Sequence, residues 1–261
     1  MQMEKRPSVE QPAYKVSGNV RYLDDSGLNR PLDMPAQVRR GLVVALALAC
    51  VIGGAMIFRY FDSIIGAPQR DQEAMQENIA REVSLDLPQL GSFMPMGDQD
   101  IMASLNSAGY TLYEKTPVGT NEAGGFEVIK LPEGVSLEEA GLVYLAGISN
   151  ASAADASRLL NGSWTLSVDR SSGTSMRARY ADFASGSADA AIQKAKEAEG
   201  LSEIQAAEAG VDDAGNTYQA GTVDMNGETY SWRVSVIALS EVYEVSGLPD
   251  DALFVGIRFA K

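Results

Sequence analysis

Residues 41–58 read GLVVALALACVIGGAMIF, a run without a charge or a strong hydrogen-bonding side chain. Nothing else constrains the chain so tightly. At ~1.5 Å rise per residue a helix of this length covers about 27 Å, close to the ~30 Å hydrocarbon core of a bilayer. Tyr60 and Phe61 follow at the edge, where aromatic rings favour the membrane interface, and Arg59 is long enough to snorkel toward the headgroups. A helix buried in a protein core seldom lacks polar residues on every side. Residues 41–61 are therefore expected to form a single transmembrane helix, with the lipid bilayer as their partner.

Charge sets the expected orientation. Residues 1–40 hold seven Lys/Arg against five Asp/Glu, with Arg39 and Arg40 abutting the apolar run. Residues 62–261 hold thirteen against thirty. The positive-inside bias puts the N-terminus in the cytoplasm and the acidic C-terminal portion outside the cell membrane, facing away from anionic lipid. A second reading starts translation at Met34, which makes Ala47-Leu48-Ala49-Cys50 resemble a lipoprotein signal with Cys50 as the lipidated residue. Against it, the leucine sits one place too near the cysteine, and apolar sequence continues through Val51, Ile52 and Met56–Phe58.

The span also carries an association signal. Ala45, Ala49 and Gly53 recur every four residues on one side. Small residues in such a stripe let two helices approach closely in lipid, so self-association or pairing with a partner span is expected there.

Four regions follow. Residues 1–40 mix four prolines with scattered charges and no sustained period, the pattern of a disordered cytoplasmic tail. Residues 41–61 are the span. Residues 62–97 read as a juxtamembrane stalk: Pro68 opens a helix over 69–84 whose apolar stripe of Met75, Ile79 and Val83 serves either to dock on the domain, the commoner use, or to pair with another copy. Residues 98–261 then read as an extracytoplasmic α+β domain, expected to fold alone, of short helices and antiparallel strands ending in a β-meander. Helices are expected over 98–108, 136–146, 154–160 and 187–200. Ser136 with Glu139 three places on is a capping pair. Strands are expected over 110–115, 126–131, 164–170 and 176–183. A helix, glycine, aromatic, Thr-Leu, strand order occurs at 102–114 and again at 156–169, which implies two similar units side by side. Asn226-Gly227 marks a hairpin turn, and Tyr230, Trp232, Val234 and Val236 alternate with polar residues, as do Leu253, Val255, Ile257 and Phe259 toward the terminus.

Composition narrows the chemistry. With no histidine and a single cysteine, the chain has no Ser-His-Asp triad, no Cys-His dyad, no His-ligated zinc and no intrachain disulfide. A net charge of −14 and a pI near 4.4 argue against nucleic acid as a partner. Glycine-rich nucleotide loops and the Gly-x-Ser-x-Gly elbow are missing from the sequence, so no cofactor is expected. Glu138-Glu139, Asp212-Asp213 and Asp250-Asp251 are adjacent pairs, a poor match to two carboxylates facing across a cleft. Asp224, Asn226 and Glu228, and likewise Asp212, Asp213 and Asn216, have cation-like spacing but suit turns better. Trp164, Trp232, Tyr110 and Tyr180 could stack on sugars, although strand aromatics usually serve the core. Asn150 and Asn161 sit in glycosylation-type triplets. No catalytic, cofactor-binding or metal-binding residue is assigned. The expected function is a single-pass membrane-anchored extracytoplasmic interaction or accessory domain. The alternatives are a carboxylate-dependent cell-surface enzyme acting on wall polymer, and a ligand sensor signalling to the cytoplasmic tail.

Overall fold

The structure, a computed structural model, describes Ala45, residues 48–56 and residues 66–261. The tail 1–40 and most of the expected span lie outside the described residues. Ala45 and residues 48–56 are helical, with Leu48, Val51, Ile52 and Met56 exposed. Among the described residues no helix is long and apolar enough to cross a membrane.

The described residues from Ala67 onward belong to one compact α+β unit. Its helices are α1 (Ala67–Ala80), α2 (Leu90–Phe93), α3 (Asp98–Ser107), α4 (Leu137–Ala146), α5 (Ala153–Leu160) and α6 (Ala188–Ala198). Its strands are β1 (Leu112–Thr116), β2 (Gly125–Lys130), β3 (Trp164–Asp169), β4 (Ser175–Asp182), β5 (Glu208–Val211), β6 (Thr217–Met225), β7 (Glu228–Ala238) and β8 (Leu253–Ala260). All eight strands form one antiparallel sheet in the order β1-β2-β3-β4-β8-β7-β6-β5. Two four-stranded meanders therefore meet where the last strand pairs with β4. The helix–hairpin order expected twice occurs twice, as α3-β1-β2 and α5-β3-β4, and the hairpins adjoin through β2 and β3.

Period-two alternation gives each strand an apolar side. Trp164, Leu166 and Val168 on β3 share a face with Met176, Ala178 and Tyr180 on β4, Val255, Ile257 and Phe259 on β8, and Trp232, Val234 and Val236 on β7. Helices α2, α3 and α6 close this face with Leu90, Phe93, Ile101, Leu105, Ile192 and Ala195. Burial, more than helix propensity, holds such short helices, since those under ~12 residues are marginal in water. The connection from β4 through α6 carries the chain across this face to the far edge, where β5 begins.

The opposite face is covered at one end only. There α4 and α5 pack Ala140, Ala156, Leu159 and Leu160 against Ile129, Leu131 and Ala181. Helix α1 docks on α5: buried Met75 faces inward, the Asn78 amide donates to Ala154 O at 2.9 Å, and the Asn161 amide donates to Asn78 O at 2.8 Å. The apolar stripe read from 69–84 is thus spent on the domain. The segment between β7 and β8 packs at the same end through Leu239, Tyr243 and Leu248; beyond it, among the described residues, no helix covers this sheet face.

Two turns set the hairpins. Asn226 and Gly227 adopt φ of 54° and 79°, the paired positive values a two-residue turn between β6 and β7 demands. Gly125, at φ 92°, lets β2 pass β3 closely, because a Cβ there would stand 2.1 Å from Val168 O.

A candidate anion-binding site on the open sheet face

The polar sides of the central strands carry arginine. Arg177 and Arg179 alternate with buried Met176, Ala178 and Tyr180 on β4. Arg258 alternates with Ile257 and Phe259 on β8, and Arg233 with Trp232 and Val234 on β7. Strand register aligns them: Arg177 is directly opposite Arg258, and Arg258 is directly opposite Arg233. Three arginines therefore stand in a row across three adjacent strands, ~5 Å apart at the backbone. The next row holds Arg179, Gly256 and Ser235. Together these residues line a basin of about 530 Å³, with Asp212 and Asn216 of the β5–β6 turn on one side and Ile237, Val242 and Phe254 at one end. Like charges directly opposite on a sheet cost stability, by roughly 0.2–1 kcal/mol a pair. In a chain of net charge −14 this concentration is a strong local exception.

Each arginine is held differently. Arg179 reaches Glu127 at 3.0 Å and Ser167 Oγ at 2.9 Å. Arg233 pairs with Asp212, and its guanidinium carbon sits over the Tyr218 ring, 3.9 Å from the centroid. Asp212 is itself fixed: it accepts from the Asn216 amide side chain, and from the Asn216 and Ala214 backbone N–H groups, and these bonds with Arg233 hold its pKa below the ordinary value. Arg258 donates Nε to Ser175 Oγ at 3.0 Å. Arg177, exposed in the basin, makes no side-chain hydrogen bond or ion pair among the described residues. Desolvation, then the neighbouring charges of Arg179 and Arg258, lower its pKa. Guanidinium keeps its proton throughout the physiological range and only donates, so the arrangement binds and neutralises anions rather than moving protons.

The residues singled out from sequence go elsewhere. Ala45, Ala49 and Gly53 are helical, with both alanines exposed, and a Cβ at Gly53 would meet nothing within 4 Å. Cys50 is an exposed free thiol. Trp164, Trp232 and Tyr180 are core residues, and Tyr110 packs edge-on against Trp164 at 5.5 Å. Glu139 pairs with Arg158, and Asp224 accepts from Thr229 Oγ1 at 2.5 Å. Among the described residues no group of His, Cys, Asp or Glu is placed to hold a metal ion. Buried Asn161 spends its amide on the Asn78 and Arg81 carbonyls. The alternation of β7 places Arg233 on the polar side of its strand, between Trp232 and Val234, while no local pattern singles out Arg177, Arg179 or Arg258. The available signal was an arginine at the solvent position of three separate strands; which strands would be neighbours was not readable.

No protein-family model, curated protein or solved structure matches this chain.

Proposed function

We propose that the chain is a single-pass membrane protein in which residues 41–61 anchor an extracytoplasmic interaction or accessory domain, with the N-terminus in the cytoplasm. The domain takes an anionic partner onto its open sheet face. One observation carries the binding face: Arg177, Arg258 and Arg233 are held side by side on adjacent strands, against their mutual repulsion, where none of the described helices covers them. The unbroken hydropathy of 41–58 and the cationic flank at Arg39 and Arg40 support the anchor and its direction. A basin outside the membrane is also what the ligand-sensor alternative requires.

Photo-crosslinking in native membranes tests the face. A photoreactive residue replacing Val242, on the basin wall, is expected to give adducts that disappear when Arg177 and Arg258 are both changed to Glu. The same residue at Leu145, on the exposed side of α4, is the comparison. Adducts that survive the double charge reversal, or that form equally at Leu145, overturn the binding face. Protease added to intact cells tests the anchor: it should remove the domain and spare an epitope on residues 1–40, and an epitope open from outside overturns the orientation.

A further inference from the structure

The unpaired charge in the basin points to the kind of anion. Two of its arginines already have acidic partners, Arg179 with Glu127 and Arg233 with Asp212. Arg177 and Arg258 face each other across β4 and β8; among the described residues neither forms an ion pair, and the acid whose charge bears on Arg258 is Asp169, whose carboxylate is already held by Ser171. A ligand that completes the site brings about two negative charges to one spot between two strands. A carboxylate supplies one charge and two coplanar oxygens, enough for one guanidinium fork. A phosphoryl group supplies roughly −1.5 to −2 at neutral pH and three acceptor oxygens set tetrahedrally, so two or three forks bind it at once.

Resting on the reading of the open face as the binding surface, we infer that the basin is a phosphoryl-binding site for phosphate monoesters or diphosphates. Arg177 and Arg258 grip the phosphoryl group, and Arg233 and Arg179 flank it. Gly256 leaves the floor between them bare: a Cβ there would come within 3.2 Å of Ser235 Oγ and stand where the anion settles on the sheet. Ser175 already orients Arg258 from the adjacent strand. The apolar end of the basin, at Ile237, Val242 and Phe254, receives the organic body of the ester. The volume of about 530 Å³ lies within the ordinary range for small-ligand sites.

The test uses the full-length chain in phosphatidylcholine nanodiscs, with circular dichroism confirming that each variant is folded. Calorimetric titration with inorganic pyrophosphate at low ionic strength is expected to show saturable binding. Arg177→Gln and Arg258→Gln should each weaken it at least tenfold, whereas Lys194→Gln, outside the basin, should leave it unchanged. Citrate, with several carboxylates and no phosphorus, should bind at least tenfold more weakly than pyrophosphate. A second arm sediments the nanodiscs with phosphatidylcholine vesicles that contain or lack phosphatidic acid. Capture that requires phosphatidic acid and both arginines assigns the phosphoryl group to a lipid headgroup; pyrophosphate binding without vesicle capture assigns it to a dissolved ester. The inference is overturned if the wild-type chain binds neither probe, if citrate equals pyrophosphate, or if the two Gln variants bind as wild type does. Failure of both probes while arginine-dependent adducts still form at position 242 overturns the phosphoryl ligand alone and leaves the binding face standing.

Discussion

At the residue scale two charge environments act in opposite places, one exposed and one buried. Arg177 and Arg258 repel across a strand pair, and among the described residues neither forms an ion pair, so Arg177→Gln should stabilise the ligand-free chain at low salt by about 0.2–1 kcal/mol. The gain should shrink in molar salt, where the Debye length is only ~3 Å. Thermal melts of the detergent-held chain at the two ionic strengths check this, and a lower melting temperature for Arg177→Gln at low salt would refute the repulsion. Glu199 is the buried case. Its Oε2 accepts from Leu90 N at 2.9 Å, Oε1 has no partner among the described residues, and burial pushes its pKa up to about 8 despite the backbone bonds from Leu90 and Gly91. Between the ordinary glutamate value and about 8 the folded chain keeps a proton that the unfolded chain has lost. The stability from this group is thus fully present below pH ~4.5 and lost as pH rises toward 8, at up to about 1.4 kcal/mol per unit. Glu199→Gln keeps an oxygen for the Leu90 amide and cannot ionise, so its urea-unfolding midpoint should fall less between pH 5 and 8 than that of wild type. Equal slopes would show that Glu199 is charged in the folded state.

At the element scale, local chemistry was readable and partner choice was not. Asn226-Gly227 announced its hairpin because only positive φ closes a two-residue turn, and the alternation from Tyr230 to Val236 gave the buried side of β7. Ser136 caps α4 as its sequence implies, accepting from Glu139 N at 3.2 Å, but the Glu139 carboxylate turns to Arg158 on α5 instead of back to the cap. That choice depends on a helix nineteen residues away, which no local pattern encodes. Helix α1 shows the same limit. Its Met75 stripe predicts some contact, whereas the partner is fixed by Asp71, whose two carboxylate oxygens accept from Ala153 N and Ala154 N at 3.1 Å each and cap α5 from outside. A carboxylate there satisfies two N–H groups of the first turn and meets the positive end of the helix dipole. Asp71→Ala should cost about 1–2 kcal/mol, in the range of a lost cap. Hydrogen exchange should quicken in 67–80 and in the first turn of α5, and unchanged exchange in α1 would mean that the docking does not depend on this cap.

Over the whole molecule, the candidate site exists because the last strand inserts between two others. β8 lies between β4 and β7, so arginines at positions 177, 233 and 258 become neighbours only after the full chain has closed. The sequence shows each of them as an ordinary solvent-side residue of a half-buried strand, which is why the α+β class and the terminal meander were legible and the basin was not. The same long-range closure governs the other end of the unit. Residues ahead of Asp98 read as a stalk because prolines and glycines break their pattern, yet Leu90, Phe93 and Met94 are buried in the main core beneath the sheet. Their removal would empty that volume and leave the buried Glu199 carboxyl without its two backbone donors. Truncating even one buried Leu or Phe typically costs 2–5 kcal/mol, and whole domains hold only about 5–15. A fragment beginning at Ala67 is therefore expected to unfold cooperatively as a soluble acidic monomer, indifferent to reductant because it contains no cysteine. A fragment beginning at Asp98 should bind hydrophobic dye, lose near-ultraviolet dichroism from Trp164 and Trp232, and melt without a sharp transition. The two fragments differ by 31 residues, so calorimetry and dichroism run side by side decide the matter. A cooperative melt for the shorter fragment, at a temperature near that of the longer one, would show that α1 and α2 lie on the domain without helping to build it.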